Sequence, residues 1–235
     1  MLDKRPGTIQ DMFDRISPTY DRLNTILSLS IDQLWRHRTI RHLDIGNDSL
    51  VLDAGTGTGN MGLLAVASVG CRVVGIDLSR EMLAVAARKG RSTPLEGQFL
   101  LANGNALMLP FRDQAFDRAM VAFGIRNMEH PDLFLDEIHR VLKDEGRLAV
   151  LEFSLPRNPL IRRLYLFYFT ILLPAVGGII SGYLPAYKYL RDSVMAFTPP
   201  EDLENTMKAR GFSILRSRDL FFGVSHLYVL GKTTR

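Results

Sequence analysis

The sequence predicts an α/β protein on a doubly wound, mostly parallel sheet that ends in an antiparallel hairpin, with helices before it and a helical insertion within it. Three observations predict this. The apolar run Val51-Leu52-Asp53 breaks into the glycine-spaced turn Gly55-Thr56-Gly57-Thr58-Gly59. From Ser49 onward, strand-like apolar runs alternate with helical periodicity, the pattern of parallel β-α-β units. The alternation stops once, over residues 156–196, where the chain becomes strongly apolar.

The chain has 235 residues, 46% hydrophobic and 23% charged, proportions of a folded protein long enough to bury a substantial core. We read it as one domain over 1–235, with 1–46 a helical wall and 156–197 an apolar helical lid. Its one cysteine, Cys71, argues against a disulfide framework or a multi-cysteine metal site and for a reducing, cytoplasmic setting. No H-E-x-x-H or G-x-S-x-G motif occurs, so neither metal nor acyl-transfer chemistry is expected. The N-terminus MLDKRPGTIQ has no apolar core of a secretory signal. A net charge of +4 and a pI of about 9.3 suit an anionic lipid surface without demanding one. No aromatic-basic module is visible, so nucleic acid is not expected, and a second copy of the chain is a candidate partner.

Residues 8–45 read as helical: Ile9, Met12, Phe13 and Ile16 share one face, and Ser17-Pro18 interrupts the pattern before Tyr20. Trp35 reads either as a core anchor under the sheet or as part of a pocket wall, and Tyr20 is the candidate ligand contact from this prelude. Strand one carries the glycine turn, and helix 61–69 follows with its free N–H groups aimed at whatever binds there. Strand two, 72–77, ends in Asp77. Helix 80–89 is opened by Ser79 as N-cap. Strand three, 97–102, ends at Asn103-Gly104-Asn105-Ala106 on the carboxyl edge, where such sheets bind ligands. Strand four, 116–123, leads to Gly124-Ile125-Arg126-Asn127-Met128-Glu129-His130. Helix 131–142 has Pro131 in its first turn, and strand five, 147–153, brings Glu152 to the same edge. Residues 164–180 carry no charge but are broken by Pro174 and Gly177-Gly178, short of the ~20 apolar residues a spanning helix needs. They read as buried cap helices or as a lid that admits a hydrophobic substrate and dips into a membrane surface, with Arg157, Arg162 and Arg163 near the head groups. Helix 201–210 is closed by Gly211, and 212–218 with 224–230 form the edge hairpin.

The glycine spacing is G-x-G-x-G rather than the dinucleotide G-x-G-x-x-G, and Asp53 precedes it. A pyrophosphate disfavours a nearby carboxylate, whereas S-adenosylmethionine (SAM) presents a cationic ammonium and sulfonium. Asp77, 22 residues after Gly55, sits where a ribose-binding acid is expected. Turn chemistry alone also places Gly and Asp at such junctions. Asn105 is a candidate adenine contact through its amide.

The stretches YDRLNTILSLSIDQLW and RVLKDEGRLAVLEFS resemble two signatures of the ubiquinone/menaquinone biosynthesis C-methyltransferases (UbiE type). VLDAGTGTG, NALMLPF, AFGIRN and YKYLRDSVMAF are similar in the same order. The resemblance implies a class I SAM-dependent, Rossmann-like fold and methylation of a ring carbon of a polyprenylated quinol, at the inner face of the membrane. It implies Thr58, Asp77, Asn105, Ala106 and the position of Ala122 as SAM contacts, to which the residue reading adds Tyr20, Asp53, Gly55, Gly57, Gly59 and Leu78. Ala122 stands where the family often has serine, Gln33 where it has histidine, Asp144-Glu145 where it has Pro-Gly, and GVSHLYVLG departs from its usual ending.

Methyl transfer needs acceptor carbon, methyl and sulfur held in line, and a quinol carbon becomes nucleophilic when a neighbouring hydroxyl loses its proton. Arg126 is expected to stabilise the phenolate or orient a water, since guanidinium stays protonated. His130 is the candidate proton acceptor; the blander readings are a bracing salt bridge for Arg126 and a surface role for His130. Competing functions are methylation of another lipophilic or phenolic molecule, a dinucleotide oxidoreductase, and a membrane- or RNA-binding protein with a vestigial site.

Overall fold

The computed structural model describes residues 2–91 and 97–234. Short Val/Leu/Ile-rich runs form β1 (Leu50–Ala54), β2 (Arg72–Asp77), β3 (Phe99–Asn103), β4 (Phe116–Ala122) and β5 (Leu142–Phe153), all paired in parallel. β7 (Ser225–Lys232) runs antiparallel to β5, and β6 (Phe212–Leu220) antiparallel to β7. The order is β3-β2-β1-β4-β5-β7-β6. It reverses between β1 and β4, so the chain leaves these two neighbours in opposite directions and opens a crevice at their carboxyl ends.

Two apolar layers enclose the sheet. On one face α3 (Ile31–Leu43) and α4 (Asn60–Val69) bury Ile40, Leu43, Met61 and Val66 against Val51 and Val73. On the other α6 (Pro131–Val141) and α10 (Pro200–Ala209) bury Phe134, Ile138, Leu203 and Met207 against Leu52, Leu148 and Tyr228. Ser79 caps α5 (Arg80–Arg91), accepting from the Met82 N–H at 3.0 Å, and Pro131 opens α6. Cys71 is a buried core residue.

Three expectations are corrected. The N-terminal helical stretch breaks twice, into α1 (Pro6–Ile16), α2 (Tyr20–Ser28) and α3; the second break is made by Leu29 and Ser30 at φ 51° and 62°, residues that rarely signal a turn. β5 starts at Leu142 rather than Arg147, because Lys143 to Gly146 bulge out between the Phe116–Leu142 and Arg118–Arg147 pairs. The apolar insertion is not broken at Pro174. α7 (Pro159–Phe167) and α8 (Leu173–Ser181) are joined by a π-helical turn, Tyr168–Leu172, into one helix of 23 residues. The widened turn lies where the proline ring would otherwise meet the carbonyl four residues back. Gly177 is a packing site, since a Cβ there would stand 2.3 Å from the Tyr187 ring on α9 (Leu184–Met195).

This helix is long and apolar enough to cross a membrane by length and composition, with a mean hydropathy of 1.9. Its inner side, Tyr165, Phe169 and Leu173, packs with Ile16, Leu23, Tyr187 and Val194 in one cluster. The N-terminal helices and the insertion thus form a joint cap over the carboxyl edge. Only 28% of the helix's most apolar stretch is buried, and Leu160, Leu164, Phe167, Ile171 and Ile179 line its exposed side.

Candidate active site

Two cavities open at the carboxyl edge, with ≈ 850 Å³ and ≈ 1680 Å³ of empty space, their solvent-open mouths included, and Phe13, Tyr20 and Phe123 line both. Phe123 leaves β4 at φ 58°, a strained conformation for a bulky residue. Its carbonyl is thereby turned toward Arg126 Nη1 and Asn127 Nδ2, both of which donate to it.

The smaller cavity is a cleft walled by Gly55, Gly57, Asp77, Leu78, Asn105, Ala106 and Ala122. Gly55 and Gly57 take φ 68° and 55°, and a Cβ on either would project into open space with nothing within 4 Å. Their bare backbone therefore makes a cradle that side chains would fill. Asp77 accepts N–H bonds from Gly57 at 2.8 Å and Ser79 at 2.9 Å. Burial raises its pKa, and the backbone donors oppose that rise. Asn105 Oδ1 takes the Leu107 N–H at 2.9 Å, which turns the amide oxygen inward and leaves its NH₂ for a ligand. The α1 segment covers this cleft with Lys4, Pro6, Ile9 and Gln10. Burial, followed by repulsion from Arg126, lowers the Lys4 pKa. A carboxylate at the end of β2, an amide with its NH₂ unbonded among the described residues, an apolar rim and a bare glycine floor fit SAM.

Thr58, Gly59 and Asp53 stand behind this wall. Thr58 is buried and donates to Asp21 Oδ1 at 2.6 Å, and Asn60 and Lys89 donate to the same carboxylate. Gly59 caps α4 against Phe99. Asp53 lies beneath the turn, accepting from Thr56 Oγ1 at 2.6 Å and the Gly62 N–H at 3.0 Å. Burial pushes its pKa up to about 6. The geometry thus gives all three a part in shaping the turn instead of a place on the cleft wall.

The larger cavity is an apolar chamber lined by Met12, Ile16, Trp35, Phe153, Phe169 and Leu173 among others. Trp35 meets Phe123 and Phe153 at ring distances of 6.1 and 6.4 Å, so it is both buried core and chamber wall. Arg126 reaches the chamber from a single 3₁₀ turn, Ile125–Asn127. Its Nη1 donates to Glu152 Oε1 at 3.0 Å, its Nε to Ser193 Oγ at 3.3 Å, and its guanidinium lies 5.3 Å from the Phe153 ring centre. Both members of this ion pair are buried, and Nη2 makes no hydrogen bond among the described residues. The bracing salt bridge and the substrate-facing position therefore coexist in one side chain. His130 is exposed at the start of α6 and lines neither cavity. That position gives no support to proton acceptance from a chamber ligand.

Sequence reasoning did not single out Phe13, Phe123, Asn127, Asp21, Tyr165 or Tyr189. Phe123 and Asn127 lie inside the quoted AFGIRN stretch, Tyr189 inside YKYLRDSVMAF and Tyr165 inside the apolar run, but no spacing rule marks any of them as cavity-lining.

A sequence model of the ubiE/COQ5 methyltransferase family matches residues 1–232. A ubiquinone/menaquinone biosynthesis C-methyltransferase UbiE of Syntrophotalea carbinolica is 44% identical over 228 residues, covering 96% of this chain and 95% of its own. A counterpart so named from Geotalea uraniireducens is 39% identical over 230 residues and 97% of both chains. A demethylmenaquinone methyltransferase of Thermus thermophilus is 44% identical over 219 residues, 93% of this chain and 98% of its own. Among solved structures, the [4+2]-cyclase SpnF superposes with a TM-score of 0.73 at 18% identity, covering 97% and 96% of the two chains. A SAM-dependent methyltransferase of Aquifex aeolicus gives 0.60 at 17% identity, over 84% and 89%. At such identities the structures bear on the fold alone, which is the expected one.

Proposed function

Because the chain belongs to the ubiE/COQ5 methyltransferase family, and so is a SAM-dependent methyltransferase, we propose that its acceptor is a ring carbon of a polyprenylated quinol, demethylmenaquinol or a related ubiquinone precursor. The single observation that carries this is the apolar chamber of ≈ 1680 Å³, which meets the donor cleft at Phe13, Tyr20 and Phe123 and holds two buried cations, Arg36, paired with Asp32, and Arg126, whose Nη2 is left without a hydrogen bond among the described residues. An isoprenoid tail fits the chamber's apolar wall, and a dioxygenated ring fits its polar end.

SAM supplies the electrophilic methyl group. Tyr20, Phe13 and Phe123 line both cavities, so they set the line along which ring and donor face each other. Arg126 is fixed by Glu152, Ser193 and the Phe123 carbonyl, and its remaining N–H groups stabilise the phenolate oxygen that makes the neighbouring carbon nucleophilic. The buried surroundings strengthen that interaction. The exposed apolar stripe of α7 and α8, with Arg157, Arg162 and Arg163 exposed at its start, supports docking on the anionic cytoplasmic face of a membrane, where such quinols reside.

The test is methyl transfer from labelled SAM to reduced demethylmenaquinone, with the product identified by mass spectrometry. A methyl group on the ring is expected. Labelling of simple phenols with none on the quinol would overturn the assignment.

A further inference from the structure

Buried polar atoms without partners are few in folded proteins, and each calls for an explanation. Among the described residues four side-chain atoms are in that state: Gln98 Oε1, Asn127 Oδ1, Tyr165 Oη and Tyr189 Oη. Both tyrosines line the apolar chamber, and they come from different helices, α7 and α9. Other polar groups of the chamber wall have partners within the protein. Asp32 accepts from Ser28 at 2.7 Å and Arg36 at 3.4 Å, and Tyr168 donates to the Leu27 carbonyl at 2.6 Å. Both orphaned hydroxyls share the same electrostatic neighbours, Arg126 and Glu152. Burial pushes the Tyr189 hydroxyl up to about 12 and that of Tyr165 well above the usual phenol range. Both therefore stay protonated and keep a proton to donate.

We infer that Tyr165 and Tyr189 position the acceptor by donating hydrogen bonds to its ring oxygens, so that the chamber selects a ring bearing two oxygens over a monophenol. This rests on the quinol reading above and deepens it. Arg126 holds the oxygen that carries charge; the tyrosines fix the ring's rotation, which decides which carbon faces the donor cleft. An apolar tail alone gives the chamber no means of fixing that rotation.

The test uses Tyr165→Phe, Tyr189→Phe and the double variant, each removing only an unpartnered hydroxyl. Quenching of Trp35, the chain's one tryptophan and a chamber residue, reports binding of 1,4-naphthalenediol, 1-naphthol and naphthalene, three rings of equal apolar body. The wild type should prefer the diol, and each single variant should weaken diol binding roughly five- to tenfold, as expected for one buried hydrogen bond. The double variant should abolish the preference, with naphthalene binding unchanged and the thermal midpoint unchanged or raised. Unchanged diol affinity, or an equal loss for naphthalene, would overturn the inference. Turnover separates it from the function it rests on. If the wild type methylates demethylmenaquinol and the Phe variants keep its KM, only the tyrosine assignment fails. If the wild type methylates no quinol while diol binding still depends on the tyrosines, only the substrate assignment fails.

Discussion

The carboxylate of Asp21 on α2 and the hydroxyl of Thr58 in the glycine turn meet at 2.6 Å, 37 residues apart in sequence. The same carboxylate receives Asn60 Nδ2 at 2.8 Å and Lys89 Nζ at 2.9 Å, so it ties the N-terminal cap to the turn, to the start of α4 and to α5. The cap is thereby fastened to the donor cleft and not merely laid over it.

Asp21→Ala should therefore weaken SAM binding roughly tenfold, the worth of about one charge-assisted hydrogen bond, while the acceptor chamber keeps its lining. Calorimetric titration with SAM checks this; unchanged affinity would show the tie to be dispensable.

Arg126→Ala removes the phenolate's partner and leaves Glu152 buried and unpaired. We expect kcat to fall on the order of 100-fold with little change in SAM affinity, and stability to drop by about 3–5 kcal/mol. Arg126→Lys retains charge but not the planar fork, so it should restore stability more than turnover. Steady-state kinetics beside urea unfolding separates the two effects.

Burial raises Asp53 from 3.8 to about 6. Between those values the folded protein holds a proton that the unfolded chain releases, so this group's contribution to stability is greatest below about pH 4 and declines as the pH rises to about 6. Above that the penalty is on the order of 3 kcal/mol. Asp53→Asn should flatten this slope and retain an acceptor for Thr56 and the Gly62 N–H. Unfolding midpoints at about pH 5 and about pH 7 give the comparison; parallel wild-type and variant curves would refute the assignment.

Gly177→Ala would place a methyl 2.3 Å from the Tyr187 ring, forcing α8 and α9 apart at a cost of about 1–3 kcal/mol. Because Tyr187 lines the chamber, KM for the quinol should rise while SAM affinity holds. A quinol KM equal to that of the wild type would contradict it.

Phe167→Glu and Ile179→Glu alter exposed positions, 56% and 83% accessible. Each should reduce binding to anionic phospholipid vesicles about tenfold or more, the loss of one buried apolar side chain. Activity on a detergent-solubilised quinol should be retained. Co-sedimentation with vesicles measures the first and the coupled assay the second.

Most of the sheet was legible because its signals are local. The strand Val51-Leu52-Asp53, the bare turn at Gly55 and Gly57, the cap at Ser79 and the acid at Asp77 each depend on a few neighbouring residues, and the alternation of strand and helix then leaves few topologies open. The apolar insertion was misread because Pro174 and Gly177-Gly178 break a helix only when nothing else absorbs them. Here a π-helical turn accommodates the proline, and the first glycine makes room for Tyr187.

The sequence by itself determined the doubly wound sheet, the donor turn and the family's signatures, since each rests on backbone preference or short spacing. Only the tertiary structure decided that Thr58 and Asp53 face away from the cleft and that Asp21 fastens the cap. It also decided that Phe123 bends into a shared wall and that two tyrosine hydroxyls of chamber-lining residues lie buried with no hydrogen-bond partner. These depend on which side chains from distant segments meet once the core has closed, and periodicity does not encode such meetings because they are settled by packing in three dimensions.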